Sequence, residues 1–158
     1  MKVAGSASLP FPPEQSYDLM QNPDILAGAI PGCNSLELIG ENEYKLNLKM
    51  VLASLSGLFE GKVLLSEPNR PYSFKMTVEG SGKIGFLKGE GTLSLLATEK
   101  GGTDVYYEGE AQIGGTMASV GQRLIDTTAK LMVKRFFKKL SAGAGGGDES
   151  TPEEPQPE

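Results

Sequence analysis

The chain contains no histidine, no tryptophan and a single cysteine among its 158 residues. Without histidine, Ser-His-Asp and Cys-His nucleophile systems, imidazole metal sites and the commonest general base are excluded. Cys33 has no partner for an internal disulfide and no imidazole to activate it. It reads as a small buried apolar residue. No apolar run approaches the ~18 residues that span a bilayer. The N-terminus, Met1-Lys2-Val3-Ala4-Gly5, lacks a signal-peptide core, so the expected location is cytoplasmic. Basic patches interleaved with aromatics on a sheet are also missing, which argues against nucleic-acid binding.

The net charge of -5 is unevenly spread. All fifteen Lys and Arg precede Ala142, whereas five of the twenty acids (Asp148, Glu149, Glu153, Glu154 and Glu158) follow it. The part before Ala142 therefore balances fifteen cations against fifteen acids. Residues 1–140 form one domain with enough length for a sizeable core. Residues 141–158, rich in Gly, Pro and Glu, are expected to be a disordered tail.

Val3 to Leu9 alternates with strand period, Val3, Gly5, Ala7 and Leu9 facing one way. Pro12-Pro13-Glu14-Gln15 opens a short helix, and Asn22-Pro23-Asp24 breaks it and begins a second short turn or helix. The stretch from Pro23 to Leu36 is apolar and stiffened by Pro23, Gly28, Pro31 and Gly32, and its Ile25, Leu26 and Ile30 need burial. Six strands come next: Leu36–Ile39, Tyr44–Leu52, Leu58–Glu67, Tyr72–Glu79, Phe86–Thr98 and Thr103–Ile113. Turn residues between several of them predict an antiparallel meander. Met117 to Leu140 carries a helical apolar period. The class is α+β: a curved seven-stranded antiparallel sheet, with two short helices after its first strand, whose apolar face has only the long C-terminal helix to cover it.

That apolar face is short of side chains. Its inward sets run Tyr44, Leu46, Leu48, Met50, Leu52; Phe59, Gly61, Val63, Leu65; Tyr72, Phe74, Met76, Val78, Gly80; Leu87, Gly89, Gly91, Leu93, Leu95; and Val105, Tyr107, Gly109, Ala111, Ile113. Glycine weakens a strand interior, so Gly61, Gly89, Gly91 and Gly109 on one face need a reason. They let the sheet bend and the helix approach, or they leave a hollow for a bulky apolar ligand, and the two readings are compatible. The residues expected to line such a hollow are Ile25, Leu26, Ile30, Met50, Phe59, Phe74, Met76, Leu124 and Met132, with the four glycines.

Other patterns carry less. Gly80-Ser81-Gly82-Lys83-Ile84-Gly85 matches a dinucleotide fingerprint in spacing, but the segment from Phe86 onward reads as strand where the fingerprint requires a helix. Glu108 and Glu110 face outward, as a solvated surface. Asp126 and Arg123 read as an ordinary helix-surface pair. Lys130, Lys134, Arg135, Lys138 and Lys139 crowd the end of the long helix and complement its dipole. Phe136, Phe137 and Leu140 interleave with them, which equally fits a helix end on an anionic membrane, with Lys134, Phe136, Phe137 and Lys138 as the contacts.

Four segments together resemble the carbon monoxide dehydrogenase G-subunit family of the START-like superfamily: Ala29-Ile30-Pro31-Gly32-Cys33-Asn34-Ser35-Leu36-Glu37, Lys88-Gly89-Glu90-Gly91, Ala111-Gln112-Ile113-Gly114-Gly115 and Gly121-Gln122-Arg123-Leu124-Ile125-Asp126-Thr127-Thr128-Ala129-Lys130. The resemblance covers roughly Met1 to Leu140. It implies a helix-grip fold and a non-catalytic accessory role for the aerobic molybdenum carbon monoxide dehydrogenase, in recruitment to the inner face of the cell membrane. The expected partners are that complex, the membrane surface and a hydrophobic ligand, with no catalytic residue, metal or resident cofactor. An isoprenoid quinone (menaquinone or ubiquinone) is the leading ligand and a phospholipid the next. A cyclase- or hydrolase-like enzyme acting on an apolar small molecule, and a docking protein with a filled core, are the alternatives.

Overall fold

The computed structural model describes residues 1–145. In chain order these form β1 (Lys2–Leu9), α1 (Pro13–Leu19), α2 (Pro23–Ala29), β2 (Cys33–Gly40), β3 (Glu43–Leu52), β4 (Leu55–Asn69), β5 (Ser73–Gly82), β6 (Gly85–Ala97), β7 (Thr103–Gly114), a 3-10 turn (Thr116–Val120) and α3 (Gln122–Gly145). The strands make one antiparallel sheet in the order β1-β7-β6-β5-β4-β3-β2. Thus β2 to β7 form a meander, and β1 closes back onto β7.

Alternation sets which side is buried. Tyr44, Leu46, Leu48, Met50 and Leu52 of β3 are buried while Lys45, Lys49 and Val51 are exposed. Phe59, Val63 and Leu65 of β4, Phe74 of β5, Leu93 and Leu95 of β6 and Val105 of β7 continue the same concave face. Tyr72 departs from the expected set. It sits in the β4–β5 turn after the cis Arg70–Pro71 bond, its N–H donates to Asn69 O, and its side chain is exposed. β5 starts only at Ser73.

Both short helices begin at proline, whose fixed φ suits the first turn. Asn22 caps α2, its Oδ1 accepting from the N–H groups of Asp24 (2.9 Å) and Ile25 (3.3 Å). A buried polar chain ties α1 to the start of β7: Ser16 Oγ donates to Thr103 Oγ1 (3.2 Å), which donates to Phe11 O (2.6 Å). Tyr17 packs edge-on against Phe74 at 5.4 Å between ring centres. On the surface Arg70 makes a two-point contact with Asp18, and this bond holds the Asp18 carboxyl below the usual range.

The helix expected over Met117 to Leu140 is broken. Gly115 (φ +80°) and Gly121 (φ +100°) take left-handed conformations that bound the 3-10 turn, and α3 begins afresh at Gln122. The apolar period misleads there because Met117 in the turn and Ile125 in the helix bury toward the same interior. At the other end α3 runs through Gly145, five residues into the segment assigned to the tail. Residues 146–158 lie outside the described ones.

Gly28 lies inside α2 with open space where a side chain would stand. Gly28→Ala is expected to raise stability by about 0.5–1 kcal/mol by removing helical glycine, read as a higher midpoint in chemical denaturation.

Candidate functional site: an apolar cavity under the long helix

Cross-strand register explains where space is left. Met76 on β5, Gly91 on β6, Gly109 on β7 and Val3 on β1 are successive partners. The adjoining row is Val78, Gly89 and Ala111, with Met1 continuing the ladder by accepting from the Ala111 N–H (2.9 Å). In both rows the two central positions are glycine or alanine and the outer positions are larger. The concave face is therefore hollow in its middle and walled at its sides.

The same glycines also bring the strands together. A side chain on Gly109 would run into Glu90 O of β6, with the Gly91 Cα at 2.7 Å. On Gly91 a Cβ would stand 3.0 Å from Glu108 O, and on Gly89 it would stand 3.2 Å from Glu110 O. The bending and hollowing readings hold at once.

α3 roofs the hollow. Ile125, Thr128, Ala129, Met132 and Val133 recur at three- and four-residue spacing and face it. Its C-terminal half is anchored by Phe137, which is buried and stacks on Tyr107 with ring centres 6.0 Å apart and planes 20° apart. Leu140 is fully buried beyond it. Between roof and floor lies a cavity of about 360 Å³, completed by Met50, Leu52, Leu87, Leu93, Ile113 and Met117. Glu90, Thr92, Glu108 and Glu110 border it while alternating outward into solvent. Thr128 and Tyr107 belong to the lining, and the Tyr107 hydroxyl lies over Gly5 of β1. The neighbouring Thr127 hydroxyl is occupied, donating to Arg123 O at 2.9 Å, whereas among the described residues that of Thr128 has no hydrogen bond.

The structure brings six of the expected ligand contacts together: Met50, Met76, Gly89, Gly91, Gly109 and Met132. The others lie elsewhere. Phe59 and Phe74 are buried within the core, and Gly61 faces Gly80 on β5, where a side chain would meet Glu79 O. Leu124 is half-buried against the core. The Pro23–Leu36 stretch is not the cavity wall. Its helix α2 packs beside α3 with Leu26 fully buried, and Ile25 and Ile30 are half-buried outside the lining. Lining residues that sequence reasoning missed include Met117 and Ile125 and, further, Val3, Thr128, Ala129 and Val133. The last three sit in phase with Met132 on the helix, and Val3 is found only by knowing that β1 pairs with β7.

Cys33 is half-buried, and burial pushes its thiol pKa up, so the unreactive protonated form is favoured. Of the expected membrane contacts, Phe137 is withdrawn into the core, Phe136 packs edge-on against it at 5.1 Å, and Lys134 and Lys138 stay exposed. Asp126 accepts from Gln122 Nε2 (2.8 Å) in place of the expected Arg123 pair. The bend at Lys83-Ile84 leads into β6, a strand and not the helix a dinucleotide fingerprint needs. Among the described residues no cluster of three metal-ligating side chains occurs, and no helix is long and apolar enough to cross a membrane.

A curved antiparallel sheet gripping one long helix over an apolar cavity defines a START-like helix-grip protein. The solved structures agree: a START superfamily protein of Mycobacterium smegmatis (TM-score 0.69, 11% identity, covering 91% of this chain and 97% of that one) and the Zhui aromatase/cyclase of Streptomyces sp. R1128 (TM-score 0.62, 10% identity, 92% and 94%) share the fold. A conserved protein of Geobacillus kaustophilus is far more similar, at TM-score 0.88 and 34% identity over 92% of this chain and 97% of that one. Residues 5–145 match the carbon monoxide dehydrogenase G-subunit (CoxG) family, and the chain belongs to it. No curated protein matches the sequence significantly.

Two substitutions separate floor from roof. Gly109→Ala meets backbone and is expected to cost about 1–3 kcal/mol. Ala129→Leu adds more volume but points into the cavity, so its stability in chemical denaturation should stay within ~0.5 kcal/mol of the parent or rise.

Proposed function

We propose that the protein is a non-catalytic carrier that holds one end of a long lipophilic molecule, an isoprenoid quinone (menaquinone or ubiquinone) before a phospholipid, and links carbon monoxide dehydrogenase to the cytoplasmic face of the membrane. The carrying observation is the 360 Å³ apolar cavity. The hollow opens to solvent, so while it is empty its apolar lining faces water. A ligand that fills it takes that surface out of water.

Size and chemistry support a particular mode of binding. The cavity is roughly twice the ~150 Å³ void that takes a benzene ring. That suits a two-ring head with a first prenyl unit, or a section of one acyl chain, and leaves the rest of a long tail outside. Thr128 on the roof is a hydroxyl-bearing residue of an almost wholly apolar lining, a single donor of the kind that suits a ligand carrying a carbonyl oxygen on an apolar body. Among the described residues, the carboxylates that border the cavity, Glu90, Glu108 and Glu110, alternate outward into solvent, which favours carrying over turnover.

The basic end of α3 supports the membrane contact. Because the helix continues to Gly145, its last turn contains no cation, and Lys138 and Lys139 lie more than a turn inside. Dipole complementarity, confined to the last turn, does not account for them. Attraction to an anionic leaflet, worth roughly 1 kcal/mol per Lys or Arg near the surface, does.

Native mass spectrometry and organic extraction of the purified protein test the ligand. Quinone or phospholipid is expected in the extract, and added menaquinone should raise the melting temperature. Thr128→Val should weaken quinone binding several-fold and leave fatty-acid binding unchanged. No extracted lipid or quinone, together with no binding of added quinone, overturns the carrier reading.

A further inference from the structure

The two outer edges of the sheet are unlike each other. β2 is one edge, and its pairing with β3 shifts register between Cys33 and Ser35 and again between Leu38 and Gly40. It also carries Glu37. Bulges and charges are among the devices that keep a sheet edge from pairing further. β1, the other edge, has neither bulge nor proline. Its eight residues hold an unbroken register with β7, and no side chain from Val3 to Ser8 is charged or larger than valine. Lys2, Ala4, Gly5, Ser6 and Ser8 are solvent-exposed. Among the described residues β1 pairs with β7 alone.

Hydrogen-bond alternation tells which backbone groups face outward from that edge. The Met1 amine donates to Ala111 O (3.0 Å), and the Ala111 N–H donates to Met1 O (2.9 Å). Such mutually bonded pairs alternate along an antiparallel ladder, so Met1, Val3, Gly5, Ala7 and Leu9 turn their N–H and C=O groups to β7. Lys2, Ala4, Ser6 and Ser8 turn theirs to the open side. The side chains of these four share the outward face, where Ser8 Oγ donates to Asp104 Oδ1 (2.9 Å). A second copy of the same strand, turned about a two-fold axis at Gly5, sets Lys2 opposite the partner's Ser8 and Ala4 opposite the partner's Ser6. All four open residues then meet as bonded pairs, with about eight backbone hydrogen bonds. Gly5 falls in the closer, non-bonded position, where the lack of a side chain lets the strands approach. Charge agrees with this register. Lys2, the one cation of β1, comes beside the partner's Ser8, with the partner's Asp104 one strand further on, ~4.8 Å away. On the concave side the partner's Ala7 stands opposite Val3, so the floor row Met76, Gly91, Gly109, Val3 gains one more strand.

We propose that the open edge of β1 is a self-association surface: two copies join β1 to β1, antiparallel and centred on Gly5, so that two seven-stranded sheets become continuous and each extends the floor of the other's cavity. The occupant of the edge is a second copy because the strand's own sequence meets both its hydrogen-bond pattern and its Lys2–Asp104 charge match. The contact stands on the strand edge and is independent of which ligand the cavity holds. One strand pair is a small interface, so the dimer forms and dissociates with concentration.

Sedimentation equilibrium of the full chain, from about 1 μM to about 1 mM, should show monomer passing to dimer. Ser6→Pro removes an edge N–H and no bond to β7, a position where sheet edges accept proline. It should stay monomeric throughout, with a denaturation midpoint near the parent's when dilute. Ala4→Lys combined with Ser6→Lys sets lysine opposite lysine across the axis and should do the same with the backbone untouched, so it decides the matter if Ser6→Pro fails to fold. Carbodiimide treatment of a mixture of isotope-labelled and unlabelled protein should join Lys2 of one chain to Asp104 of the other. A chain that is still monomeric at about 1 mM overturns the proposal. So does a dimer that persists in either edge variant. Inter-chain cross-links from Lys2 to other acids in place of Asp104 overturn it as well.

Discussion

Everything in this molecule depends on α3 being held at its two ends and left unsupported in its middle. At one end Met117 and Ile125 are buried, and at the other Phe137 and Leu140 are, with Tyr107 stacked on Phe137. Between them Thr128, Ala129 and Met132 face the small-residue rows of the floor. The helix cannot sink into the space because its ends already rest on full-sized side chains. The sheet cannot rise to fill it because Gly91 and Gly109 have nothing to extend. An apolar void is thus built in by the order of large and small residues across strands, not by any single substitution.

The short elements serve this arrangement. α2 packs beside α3 and buries Leu26, bracing the helix from the side. Ser16, Thr103 and Phe11 fasten α1 near the start of β7, a strand that supplies the inward positions Tyr107, Gly109, Ala111 and Ile113 to the cavity. Among the described residues buried polar side chains are few, and the Ser16–Thr103 pair is hydrogen-bonded, which leaves the interior around the cavity apolar.

The fold was legible in the sequence because alternation in β3 to β7 is clean and the turns carry Gly, Asn or Pro. The site was legible only where it depended on alternation within a single strand: Gly89, Gly91 and Gly109 could be placed on the concave side from their neighbours alone. Where it depended on register between strands or on which turn of α3 lies above the gap, it was legible only in part: Met132 was placed, and Val3, Thr128, Ala129 and Val133 were not. Phe59 and Phe74 have the same inward phase as Met50 and Met76, yet they lie against filled parts of the core. Ile25, Leu26 and Ile30 had the composition of a wall, but apolar composition states a need for burial and not the partner that meets it. The helix break at Gly121 was hidden because Met117 and Ile125 both point inward across it.

One property of β6 has a mechanical side. Along Lys88-Gly89-Glu90-Gly91-Thr92 the inner positions carry no side chain while the outer ones are polar, and Glu90 reaches across to Lys75 at 3.2 Å. The partition between the cavity and the convex surface is there a single layer of peptide. An occupant resting on Gly89 or Gly91 presses on main chain, with no rotamer in between to absorb the push. The contour of the floor at that point is therefore set by the backbone and by strand register, not by any side-chain rotamer.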